Sequence, residues 1–244
     1  MIGVHAAWGH SWTWSILPYM DHDALFNQMP MPINDSGWWG GTDQRSLDLI
    51  QLARTPLSVY LCPSYPRDSR EPANINGLAG QAVLTYLANA GGDARNDNLG
   101  TNGMDRSNGL FHAVSMNSGG VGRVFKFRDV TDGLSNTVLI AEAEHSASSN
   151  LGCGICDRSL FYHINADSGV GFDFSEALGS TYYSINKTSI NTAAREAAFA
   201  SYHAGGAHIL FADGKVQFIS ESVDLVNVWR PLGSRNGQEL IGQF

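Results

Sequence analysis

The sequence predicts an α+β fold, mainly antiparallel, with helices near the N-terminus and a short helix near the C-terminus. Three observations carry that reading. In the stretch 201–221, two apolar runs flank Asp213-Gly214. An Asp-Gly pair between strand-like runs is the strongest short-range hairpin signal, because a tight turn needs positive φ and glycine supplies it without steric cost. The 27 glycines call for many turns, which suits a β-rich architecture. Helical patterns lie towards the two ends, and short strand-like runs lie between them. With no internal repeat and no linker of different composition, the expectation is one domain over residues 1–244.

Taken in order, residues 1–29 are rich in aromatics: Trp8, Trp12 and Trp14 precede Ile16-Leu17-Pro18-Tyr19. Pro18 enters or ends an element rather than sitting inside one. Asp21-His22-Asp23 opens a helix, with acidic groups suited to the dipole, and Ala24, Leu25, Phe26 and Met29 follow. Pro30 and Pro32 stop it. Residues 34–41 form a loop holding Trp38 and Trp39. Thr42 caps a second helix to Arg54, on which Leu47, Ile50 and Leu52 recur at near-helical spacing. Strands are expected at 57–62, 83–88, 109–114, 122–127, 136–143 and 159–164. A loop rich in Asn and Gly spans 89–108, and 128–135 is a turn or a single helical turn. Residues 167–194 read as a polar insertion over the sheet. In the hairpin, Ile209 and Phe211 share one face of the first strand, and Val216 and Phe218 do the same on the second. Val223, Val226 and Trp229 form the inward side of a closing helix from Glu221, and 232–244 is a tail punctuated by glycine.

Composition removes several function classes. Only 16% of residues are charged and the formal net charge is −8, so a nucleic acid or an anionic membrane surface is a poor partner. No apolar run approaches the ~20 residues of a membrane span. The start at Met1 has neither the basic residues nor the apolar core of a signal peptide. Three cysteines are too few for a disulfide scaffold. Cys153 and Cys156 form a single CxxC, which lacks the second pair of a structural zinc site and the strand–helix context of a thioredoxin motif. It reads as a small loop disulfide or two ordinary thiols, leaving Cys62 as a buried odd cysteine.

His203, nine residues and then Asp213-Gly214 give an H-x9-DG pattern. Other pieces stand in order around it: Trp12 to Tyr19 with its Leu-Pro-Tyr, Cys62-Pro63-Ser64, Asn108-Gly109-Leu110-Phe111, and Asp129-Val130-Thr131-Asp132-Gly133. Then come Ser135-Asn136-Thr137, Glu142, and Gly233-Ser234-Arg235-Asn236-Gly237. Together they span nearly the whole chain and resemble the H-x9-DG prepilin-like family known as DUF1559. That resemblance implies a pilin-like globular head, export to the cell surface, and other pilin-like subunits as partners. Members of the family begin with a prepilin leader and a long apolar helix. Neither is read at the start of this chain, which is therefore expected to represent the head without its anchor.

The family motif invites a pairing of His203 with Asp213, but strand arithmetic separates them. Residues 207–212 in extended form span roughly 20 Å at ~3.3 Å per residue. Asp213 is then a turn residue, and His203 meets Glu221 on the returning strand or the strand that carries Glu142. Glu142, Glu144 and His145 form the other concentration of chemistry. On a continued strand the two carboxylates share one face and His145 takes the other. Glu142, Glu144, His145, His203 and Glu221 are thus the candidate catalytic residues, and Glu142, Glu144, His145, His203 and His208 make a loose metal-ligand set without an HExxH pattern. A divalent cation such as calcium or zinc suits such groups. The loop with Asp93, Asn96, Asp97, Asn98, Asn102 and Asp105 also offers oxygens, without EF-hand spacing. No GxSxG elbow accompanies Ser64, Ser135 or Ser201, and no Lys-Ser/Thr follows the glycines at 119–122.

Three functional readings follow. The first is the head of a pilin-like or secretion-associated surface protein. The second is a hydrolase of glycosides or phosphoesters, metal-dependent or not, working through the Glu/His groups. The third is a module that binds cell-surface glycan through its tryptophans, although these fit better as packing between the N-terminal helices and the sheet.

Overall fold

The computed structural model describes residues 4–6, 8–28, 42–75, 78–97, 100–114, 125–146, 156, 158, 162–164, 176–187, 192–239, 241–242 and 244. β1 (Val4–Ala6) and β2 (Trp8–His10) lead into α1 (Trp12–Ser15), a 3-10 turn over Leu17–Met20 that Pro18 opens, and α2 (Asp23–Phe26). α3 (Gln44–Ala53) follows, then a hairpin of β3 (Arg70–Ile75) and β4 (Leu78–Ala82). Next come β5 (Tyr86–Gly91), β6 (His112–Val114), β7 (Val138–Glu142), β8 (Tyr162–Ile164), β9 (Leu178–Ser180) and α4 (Thr192–Ala197). The hairpin of β10 (Gly206–Phe211) and β11 (Val216–Ser220) precedes a π-helical turn, Leu225–Trp229, which runs on into α5 (Arg230–Leu232).

The central sheet has the order β11-β10-β7-β5-β9. All its pairings are antiparallel except β5 with β9. The α+β class, mainly antiparallel, with helices at the N-terminal side and a short helix near the C-terminus, is the observed one.

Side chains alternate across a strand, so the register assigns each row to a face. Leu87, Ala141 and Ile209 stand opposite one another and point into a core with Phe199, Phe211, Ile219, Trp229 and Leu232. The neighbouring row, Ala88, Ile140 and Leu210, points the other way. On that face Ala88 and Ala90 bury against Trp12, Trp14, Leu17, Leu49, Leu52 and Phe111. Two steps further along the same face come Tyr86 and Glu142, which are paired, and then His208 and Phe218, also paired. The chemistry therefore sits where one core runs out at the end of the sheet.

Several local expectations need correction. The cap of α3 is Asp43 rather than Thr42: its Oδ1 accepts from the Ser46 N–H at 3.1 Å. Its inward side is Ser46, Leu49, Leu52 and Ala53, while Leu47 is 48% exposed. The segment 57–62 holds a 3-10 turn at Ser58–Tyr60 instead of a strand. The expected strand at 83–88 is shifted to Tyr86–Gly91, and the β3–β4 hairpin lies in a stretch for which no element was expected. Residues 122–124 lie outside the described set, and Phe127 opens a 3-10 turn. Within the expected insertion, β9 forms the sheet's far edge. Trp229 and Val223 face the core as expected, with Val228 and Leu232 beside them, while Val226 is exposed. Val216 and Phe218 are exposed as well, with Ile219 taking the buried position.

Candidate functional site

Glu142 is the last residue of β7 and is 4% exposed. Its Oε2 accepts the His208 backbone N–H at 2.7 Å, and His208 Nδ1 lies 3.4 Å from the same oxygen. Its Oε1 lies 3.2 Å from His203 Nε2 and accepts from the Cys62 thiol at 3.3 Å. The triangle closes with Cys62 Sγ at 3.4 Å from His203 Nε2. Among the described residues these three form the one group of metal-ligating side chains whose donor atoms lie within 4.8 Å of one another.

Each member has a local reason to be there. Cys62 follows the 3-10 turn, and its N–H donates to Thr85 Oγ1 at 2.6 Å, just before β5 begins. His203 N–H donates to Ser201 Oγ at 2.8 Å, and the loop to β10 turns through Gly205, whose φ is +83°. The His203 and His208 rings meet edge to face at 4.8 Å, and Phe218 closes the other side of His208 at 5.1 Å. Burial pushes the Cys62 thiol up, a backbone hydrogen bond from Ser64 opposes it, and the neighbouring Glu142 carboxylate adds to the rise. Tyr86 is pushed up to about 12 by burial, helped by Cys62 and Glu142. A thiol, a carboxylate and an imidazole thus face one another across a single point, a donor set of the kind that ligates soft or borderline metal ions.

The other sequence candidates go elsewhere. The strand stops at Glu142, so simple alternation fails beyond it. Glu144 pairs with Arg195 at 2.8 Å and lines a shallow cavity with Asn186, Ser201 and Tyr202. His145 turns inward to Glu71, 3.1 Å away. Glu221 does not meet His203: its carboxylate accepts from Asn186 Nδ2 at 2.9 Å, and its backbone N–H donates to Gly205 O. Asp213 closes the hairpin turn, its Oδ1 accepting from the Lys215 N–H at 2.8 Å. In the 93–105 loop, Asp93 accepts from Asn108 N–H and Asp105 from Gly100 N–H and Arg106, so both carboxylates are used within the loop's own frame. Cys62 is the member that sequence reasoning left out. It lies 80 residues from Glu142 and 141 from His203, a separation no local pattern bridges. Its one signal was a place among the family-like pieces, as Cys62-Pro63-Ser64.

Fold and site together define an α+β protein with a Cys/Glu/His cluster at the end of an antiparallel sheet. The model of the family described as "Protein of unknown function (DUF1559)" matches residues 2–226, and the chain belongs to that family. No curated protein and no solved structure matches it.

Proposed function

We propose that the chain is the head of a pilin-like surface or secretion-associated subunit, working outside the cytoplasm among other copies or relatives of itself. The observation that carries this reading is how the N-terminal segment is fastened. Trp12, Trp14 and Leu17 are buried in the core, Trp12 Nε1 donates to Ala177 O at 2.8 Å, and the Tyr60 hydroxyl donates to Thr13 O at 2.6 Å. A head that hangs from a preceding segment needs that segment rooted in its sheet, and this one is rooted beside β9. Membership of the family supports the same reading. So does a disulfide at Cys156, a bond that persists in oxidising compartments. No helix among the described residues is long and apolar enough to cross a membrane. The burial of Trp12 and Trp14 removes them from any sugar-binding groove.

Fractionation of the native cells, with proximity cross-linking of the full-length protein, tests the proposal. The expected result is protein in the envelope or outside the cell, open to added protease on intact cells, and cross-linked into multimers. Recovery in the cytosol as an uncross-linked species would overturn it.

A further inference from the structure

Cys62, Glu142 and His203 converge on one point, with an S–H and an imidazole both drawn to a single carboxylate oxygen. We propose that this cluster is a zinc site in which Cys62 Sγ, Glu142 Oε1 and His203 Nε2 are the protein ligands and a fourth position is left for water or another ligand. The proposal is independent of the assembly reading above.

Geometry is the first argument. Tetrahedral zinc with bonds of about 2.3 Å to sulfur and about 2.0–2.2 Å to nitrogen and oxygen sets its ligand atoms about 3.3–3.6 Å apart. The three separations here are 3.2, 3.3 and 3.4 Å. An ion can therefore enter with side-chain movements of a few tenths of an ångström. Donor chemistry is the second. Calcium takes six to eight oxygens, whereas a thiolate, an imidazole and a single carboxylate oxygen suit zinc. Support around the ligands is the third. His208 holds Oε2 of Glu142 through its backbone N–H at 2.7 Å and faces it with Nδ1 at 3.4 Å, leaving Oε1 as the free arm. Thr85 fixes the backbone of Cys62. Such outer contacts orient ligands in built metal sites. His208 is a positioning residue in this scheme.

Three protein ligands and an open position are the pattern of zinc sites that bind water or substrate, and structural sites are closed by four. The His203 side chain is 29% exposed and that of His208 45%, so the cluster has a side towards solvent. On binding, the thiol proton leaves to solvent and sulfur bonds as thiolate. The proton that His203 Nε2 shares with Glu142 Oε1 gives way to the ion by exchange through solvent to Nδ1, and the Nε2 lone pair becomes the donor. Glu142 binds through Oε1.

The test uses the purified chain, freed of metal by a chelator and titrated with Co²⁺ as a spectroscopic stand-in, followed by Zn²⁺. The expected result is saturation by a single ion, with a thiolate-to-cobalt charge-transfer band and the intense visible bands of a four-coordinate site, all bleached by Zn²⁺. Cys62→Ser loses the charge-transfer band, and Glu142→Gln and His203→Ala weaken binding. His208→Ala, which keeps the backbone N–H to Glu142 Oε2 and removes only the Nδ1 contact, weakens it about 10-fold while the charge-transfer band survives. Glu144→Gln, whose carboxylate pairs with Arg195, changes nothing. Absence of the charge-transfer band in the wild type, or unchanged affinity in all three ligand variants, overturns the proposal. If Cys62→Ser does not fold, the alkylation rate of Cys62 in the wild type decides: Zn²⁺ protects the thiol if the site exists, and an unaltered rate at saturating Zn²⁺ rules it out.

Discussion

His145 is a buried histidine paired with a buried glutamate, Glu71. It lies three positions after Glu142 yet faces away from the cluster, 1% exposed, with Nε2 3.1 Å from Glu71 Oε2. Its backbone N–H and C=O both meet the Tyr202 hydroxyl, and Nδ1 has no hydrogen-bond partner among the described residues. Burial pushes its pKa down, Glu71 opposes, and Arg158 and Arg67 add to the fall. A depressed histidine binds fewer protons folded than unfolded below about pH 6.5, so its contribution to stability is present above that pH and lost as pH falls. Urea midpoints between about pH 5 and 7 are expected to drop towards acid, and His145→Asn to flatten that slope. An equal slope in the variant would remove His145 as the cause. Alternation along a strand was the rule that placed His145 and Glu144. It failed because β7 ends at Glu142, and each later side chain follows its own local bonds. Cys62 was illegible for a different reason, since only the tertiary fold brings it to its partners.

At the scale of the element, the β10–β11 hairpin repays attention because its location was legible and its register was not. Asp213-Gly214 marked the turn, but the loop has three residues: Phe211 N–H donates to Lys215 O, and Gly214 N–H donates to Phe211 O. Gly214 takes φ +92°, as a type I turn closing on a left-handed residue requires. One residue more than a two-residue turn moves every partner on β11 by one and so flips its faces. That is why Phe218 joins His208 at the site and Ile219 fills the core position. Two glycines here should respond differently to alanine. No atom stands within 4 Å of a Cβ at Gly214, so Gly214→Ala pays only for the left-handed backbone, about 1–2 kcal/mol. At Gly206 a Cβ would collide with Ile219 O and the Phe218 ring. Gly206→Ala is expected to cost about 1–3 kcal/mol by overpacking. Because it also displaces the strand that carries His208, it should weaken cobalt binding, whereas Gly214→Ala should not. Urea unfolding and the cobalt titration check both.

At the scale of the whole molecule, the pieces that resembled a family sort themselves to the two ends of the central sheet. Cys62, Glu142 and His203 meet at one end. At the other, the tail threads through the rest. Asn89 Nδ2 donates to Val138 O at 3.1 Å and Gly233 O at 2.9 Å, and Thr137 Oγ1 donates to Ser234 O at 3.2 Å. Arg235 Nη1 donates to Gly109 O at 2.8 Å, and the Asp132 carboxylate accepts from Gly237 and Gln238 N–H at 2.7 and 2.8 Å. Linear text carried the identity of these pieces but not their division into a fastening end and a chemical end. The class of fold was readable because turns, caps and apolar runs are local signals, while strand order is set by long-range pairing. The sheet is also a party wall. β5 and β7 lend alternate side chains to both cores, Leu87 and Ala141 to one and Ala88 and Ile140 to the other, while β10 adds Ala207, Ile209 and Phe211 to the first of these. Neither core can melt while the wall stands for its neighbour, so unfolding should be cooperative across the sheet. The fluorescence difference between wild type and Trp229→Phe reports the core beneath the C-terminal helix, and far-ultraviolet circular dichroism reports the backbone as a whole. Their midpoints in urea are expected to coincide, and two separated transitions would mean that the wall divides the molecule instead of joining it.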